Sequence, residues 1–156
     1  MSSFRLAGLA YEPFAALFDL SDEQLAGRAA QRVVAASSRG YPCRVSLVDA
    51  TEGEELLLLP YEHQSAHSPY RASGPIFVRK GAAQALIEPD VIPDYVRSRL
   101  MSVRAYDARH LMTDAAVCPG SEAGSVIRGM FSSPDVAYIH LHNANRGCFS
   151  CTVNRA

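Results

Sequence analysis

The sequence predicts an α+β fold, a mostly antiparallel sheet with a few short helices, in one domain covering residues 1–156. Three observations lead there. Extended, alternating or β-branched runs outnumber helical ones. The helical runs are short. No regular strand–helix–strand alternation of the kind that builds a parallel sheet is present. The length agrees, because 156 residues is ordinary for one domain and buries roughly 70% of the unfolded surface.

Phe4 to Leu9 half-alternates and reads as a first strand. Pro13 opens a short helix to Phe18, a first-turn position where its missing N–H costs nothing. Ser21 and Gln24 have capping-box spacing, so a second helix runs to about Ala29. Arg32 to Ala35 is β-branched and meets a turn at Ser37–Gly40; Cys43 to Val48 is a weaker strand. Glu55 to His63 carries four consecutive leucines and reads as a central strand buried on both faces. Gln64 to Gly74 is polar and irregular, and Ile76 to Val78 resumes a strand. Pro89 and Pro93 bracket a loop before a short helix at Asp94–Arg99. Leu100 to Asp107 alternates, with Met101, Val103 and Ala105 on one face and Ser102, Arg104 and Tyr106 on the other. Leu111 to Val117 pairs with it across a turn at Ala108-Arg109. Ser121 caps a helix to about Phe131, and a final hairpin joins Tyr138–His142 to Cys148–Val153 around Gly147.

Hydrophobic residues make up 48% and charged residues 20%, with net charge −1 and an isoelectric point near 6.5. Lys80 is the single lysine. A nucleic-acid partner is not expected without a basic stripe. The first ten residues lack a basic start and a long apolar run, so no leader is expected. No run reaches the ~18 apolar residues of a membrane span. The expectation is a cytoplasmic protein with no membrane partner, whose cysteines 43, 118, 148 and 151 are thiols, ligands or core residues.

The chemistry-bearing residue types concentrate in the last hairpin. Pairing apolar with apolar sets Ala137, Ile139 and Leu141 against Phe149, Cys151 and Val153. Tyr138, His140, His142, Cys148, Ser150 and Thr152 then share a polar face. Cys148 and Cys151, three apart in a strand, point to opposite faces and cannot both hold one ion. His140 and His142 share a face, and His63 could make a third histidine; with no carboxylate at ligand spacing, no metal is assigned. Their bland reading is hydrogen bonding within the sheet. The candidate catalytic residues are Cys148, His142 and His140: a thiol after a small residue, with an imidazole and Arg146 to lower its pKa. Cys43 beside Arg44 is the competitor, and the bland reading of either cysteine is packing.

A second constellation surrounds an anion site. Arg71 offers a bidentate donor and Ser73 and Gly74 backbone N–H groups. Arg104, Tyr106 and His63 complete the candidate pocket. The bland readings are a turn at Gly74-Pro75 and a cross-strand ion pair at Arg104.

Pro42-Cys-Arg44, Tyr61-Glu-His-Gln64, Ser68 through Arg79, Arg104-Ala-Tyr-Asp107 and Tyr138 through Cys148 together resemble a bacterial family of small proteins, domain-of-unknown-function family 1203. The resemblance spans nearly the whole chain. It implies a single-domain cytosolic bacterial protein and carries over no catalytic residue, substrate or cofactor.

The expected function is a domain binding a small anionic molecule, with enzymatic activity left open and no cofactor. The alternative is a non-catalytic structural or interaction protein acting through an oligomer surface; a homodimer is compatible with the sequence. A three-histidine metal protein is the third reading.

Overall fold

The computed structural model describes residues 2–156. They form ten strands and four short helices, confirming the α+β, mostly antiparallel expectation. The chain divides into two compact units, neither continuous in sequence. One comprises residues 1–7, 62–73 and 86–156, the other residues 8–61 and 74–85. No single cut in the chain separates them.

The first unit is built on a five-stranded antiparallel sheet. Its strands are β1 (Phe4–Ala7), β7 (Leu100–Tyr106), β8 (Met112–Pro119), β9 (Tyr138–Asn143) and β10 (Phe149–Arg155), in the order β1-β10-β9-β7-β8. The β7–β8 hairpin closes where expected, with Asp107 N–H donating to the Leu111 carbonyl at 3.0 Å. The alternation in β7 sorts the sheet's faces. Met101, Val103 and Ala105 are buried, as are Ile139 and Leu141 of β9 and Val153 and Leu6 beside them. This face carries helix α4 (Ala123–Phe131), whose Ile127, Met130 and Phe131 are buried. Phe4 marks the side, since the Arg128 guanidinium of α4 lies 5.2 Å from its ring centroid. Burying such a face is the main source of a sheet's stability, at roughly 25 cal/mol per Å² of apolar surface.

Two details differ from expectation at α4. Ser121 does not cap it: a 3₁₀ turn at Gly120–Glu122 precedes the helix, and Glu122 holds the cap position without a side-chain bond. Gly120 is required there, because a Cβ would stand 1.8 Å from the Val96 carbonyl oxygen. Helix α3 (Asp94–Arg97) leads to that contact.

The second unit holds helices α1 (Glu12–Ala15) and α2 (Asp22–Ala26). The predicted capping box is present, with Ser21 Oγ accepting from Gln24 N–H and Gln24 Oε1 from Ser21 N–H. The second sheet has the order β2-β5-β6-β3-β4, from β2 (Gln31–Val34), β5 (Glu55–Gln64), β6 (Ala72–Arg79), β3 (Pro42–Cys43) and β4 (Val48–Asp49). β5 is buried on both faces along its leucines, as its composition predicts. Leu57 and Leu59 join a cluster with Phe14, Phe18 and Leu25, while Leu56 joins Ala35 and Ala50. Only two short pairs remain of the strand expected over 43–48, Pro42↔Asp49 and Cys43↔Val48. The chain turns between them, with Leu47 at φ 53°.

Candidate functional site

The site grows from the other face of the first sheet. Three cross-strand pairs lie along it: Tyr106 opposite Tyr138, Arg104 opposite His140, and Ser102 opposite His142. On β10, Thr152 opposes His140 and Phe149 opposes His142. Opposed residues share a face, so alternation in three strands gathers two histidines, two tyrosines and an arginine.

Residues 62–73 of the same unit add to this face. The His63 ring lies 4.9 Å from His142 and 6.4 Å from His140, centroid to centroid, and stacks on Phe149 at 5.6 Å and 9°. Gln64 is buried and donates from Nε2 to the Tyr138 hydroxyl at 3.0 Å, while its Oε1 accepts from Ala66 N–H. Tyr70 meets the Tyr106 ring edge-on at 6.1 Å. The β7–β8 loop contributes His110, whose Nδ1 is 2.7 Å from the Tyr138 hydroxyl. His110 sits at φ 65°, a left-handed conformation uncommon outside glycine. Its carbonyl accepts from Ser68 Oγ at 2.9 Å, which ties the loop to residues 62–73.

The electrostatics follow from this company. His140 is 5% exposed, and its pKa is lowered from 6.5 to about 3, first by burial and then by His142, His63 and Arg104. It is therefore neutral at physiological pH. His142 is 1% exposed; its Nδ1 is 2.9 Å from the Gly147 carbonyl, which only a ring N–H can satisfy. Burial raises the hydroxyl pKa of Tyr106 and of Tyr138, keeping both protonated as donors. Asp107, at the loop, is held below the usual carboxylate range, first by the Leu111 N–H. Arg104 is half-buried, and its guanidinium makes one side-chain hydrogen bond among the described residues, Nε to Ser102 Oγ at 3.0 Å.

Of the residues singled out in the sequence, the structure brings together His63, Arg104, Tyr106, His140 and His142. Four others stand elsewhere. Arg71 is exposed and forks onto Glu62, with Nε at 3.2 Å and Nη2 at 3.4 Å, so its donors are engaged by a carboxylate nine residues away. Ser73 and Gly74 lie inside β6 rather than in a turn, so they form no loop cradle for an anion. Cys148 is the clearest correction. The hairpin shifts register between Phe149 and Cys151, leaving Ser150 as the extra residue. The bulge moves Phe149 onto the histidine face. Cys148 falls opposite Asn143, whose N–H donates to its carbonyl at 2.8 Å and whose Nδ2 is 3.5 Å from its sulfur. Asn143 alternates with His142, so the thiol stands on the face away from the imidazole that was to activate it.

Sequence reasoning missed Gln64, Tyr70 and Phe149 as members of the cluster, and placed Tyr138 on the histidine face without counting it as a site residue. Tyr138 was legible, since it shares the strand parity of His140. The rings of His63, His140 and His142 cluster, with centroids 4.9–6.5 Å apart. No group of three His, Cys, Asp or Glu among the described residues is arranged to hold a metal ion. No helix among those residues is long and apolar enough to cross a membrane.

Residues 40–155 match the model of a family described as protein of unknown function (DUF1203). The match contains every member of the cluster. No curated protein and no solved structure matches the chain.

Proposed function

We propose that this chain, which belongs to the DUF1203 family of proteins of unknown function, binds a small anionic molecule, a carboxylate or phosphate, on the histidine–tyrosine face of its first sheet. One observation carries the reading: Arg104 is a half-buried cation without a carboxylate partner among the described residues. Arg32, Arg71, Arg79, Arg97, Arg109 and Arg128 each meet an aspartate or glutamate. Arg104 instead faces a neutral imidazole and protonated tyrosines, which leave its charge uncompensated. Its Nε is spent on Ser102, and Nη1 and Nη2 remain as an end-on fork that fits two anion oxygens. Neutral His140, directly across, supplies a group that can accept or return a proton, which is the route to an enzymatic step.

The test is a thermal-shift screen of carboxylates and phosphate monoesters against wild type and Arg104→Gln. A ligand at a hundred times its Kd raises stability by about 2.7 kcal/mol. The reading expects such a rise in wild type and its loss in the variant. Hits that stabilise both proteins equally refute it.

A second reading, an interaction protein working through an oligomer surface, is supported by β8. It is an edge strand of eight residues with Val117 64% exposed, and an open edge is a template for pairing. A second copy joined β8 to β8 would make the two five-stranded sheets continuous. Sedimentation showing only monomer at about 0.1 mM, far above the Kd of a typical specific interface, disposes of it.

A further inference from the structure

We propose that His140 is the second ligand-holding group of this site and that it takes up a proton as the anion binds, so that the site binds an acid rather than a bare anion. The inference rests on the anion reading of Arg104 and adds the proton to it.

Geometry comes first. His140 lies directly opposite Arg104 across the β7–β9 ladder. The residue is 5% exposed, and its Nδ1 is buried with no hydrogen-bond partner. Buried ring nitrogens are nearly always satisfied. A polar atom left in that position, beside an uncompensated guanidinium, is placed to meet a group that the protein does not itself supply.

Charge comes second. The groups facing His140 are Arg104 and Tyr106 from β7, Tyr138 and His142 from β9, Thr152 and Phe149 from β10, and His63 from the end of β5. Arg104 is the permanent charge among them, and it is positive. No carboxylate belongs to the set. Burial, His142, His63 and Arg104 hold the ring neutral. An anion on Arg104 adds the negative charge that the set lacks, and a nearby opposite charge favours the charged form of a histidine. The ring then takes one proton from solvent and donates from both nitrogens. The anion gains an N–H donor, and no bond within it breaks.

Sulfate is the probe of choice, because it remains a dianion across the range tested and any pH dependence belongs to the protein. Sulfate is titrated into the full chain at pH 5.5, 6.5 and 7.5, with the His140 ring nitrogens followed by NMR. The affinity is expected to fall with rising pH, by up to about tenfold per unit, and the ring to pass from neutral to imidazolium as sulfate is added. His140→Gln is expected to bind sulfate more weakly and without the pH slope. Three results overturn the proposal. If sulfate binds in an Arg104-dependent way while His140 stays neutral and the affinity is flat, the proton fails and the anion reading stands. If the slope survives in His140→Gln, the proton belongs to another group. If no sulfate binds at any pH, both readings fail together. The wild-type ring signal decides the matter alone should the variant not fold.

Discussion

Arg104 and His140 stand directly opposite one another on β7 and β9, a permanent cation facing an imidazole held neutral by burial. The pair explains why this face needs a ligand more than its opposite does. The α4 face is apolar and closes on itself, whereas this face ends in a guanidinium without a carboxylate and a ring nitrogen without a partner. The arrangement makes a direct prediction. Arg104→Gln removes one of the groups that lower the His140 pKa, so the titration of that ring moves upward. It stays below the ordinary range, because burial, the largest cause, is untouched. NMR titration of the ring in both proteins measures the displacement, and a downward movement contradicts the assignment.

The same histidine sets an acid limit on stability. Its pKa is near 6.5 in the unfolded chain and about 3 in the fold. Above 6.5 neither state holds the proton and His140 contributes no pH dependence. Below it the unfolded chain binds a proton that the fold refuses, so stability falls as pH falls, by up to about 1.4 kcal/mol per unit. Between pH 6.5 and 5 this amounts to about 2 kcal/mol by the same conversion. Urea unfolding at pH 7 and pH 5 should show that loss in wild type and a smaller one in His140→Gln. Equal losses would locate the acid sensitivity elsewhere.

Cys148 is half-buried. Cys43, Cys118 and Cys151 are buried, so alkylation of the folded protein is expected at Cys148 first. Its sulfur lies 3.5 Å from Asn143 Nδ2, and Asn143 alternates with His142 along β9. His142→Ala should therefore leave its alkylation rate at neutral pH unchanged within about twofold. A rate that falls tenfold in the variant would restore the cysteine–histidine pair.

Tyr138 joins residues far apart in sequence. Its hydroxyl accepts from buried Gln64 and lies 2.7 Å from His110. Tyr138→Phe keeps the ring stacked on Tyr106, at 5.2 Å in the wild type, and removes the hydroxyl to which Gln64 Nε2 donates. Losing one such hydrogen bond costs about 0.5–1.5 kcal/mol. Chemical denaturation measures it, and a change below about 0.5 kcal/mol, the size of an ordinary surface substitution, would show that the hydroxyl is not holding Gln64 in place.

What the sequence determined by itself is local and periodic. The alternation of Ser102, Arg104 and Tyr106 with Met101, Val103 and Ala105 follows from the two-residue pleat of a strand. The same rule set His140 and Tyr138 on one face. The Ser21–Gln24 box closes within four residues, and the leucines of β5 declare burial on both sides. Everything that a two-residue period cannot encode was left to the tertiary structure. One extra residue at Ser150 reverses the parity of what precedes it, exchanging Phe149 for Cys148 on the histidine face, and either register satisfies the pattern of the isolated hairpin. Arg71 and Arg104 look alike as arginines in polar segments. Only the folded chain puts Glu62 within reach of one and leaves the other facing a neutral histidine. A side chain's charge is written in the sequence, but whether that charge is compensated depends on which distant groups packing brings within a few ångströms of it.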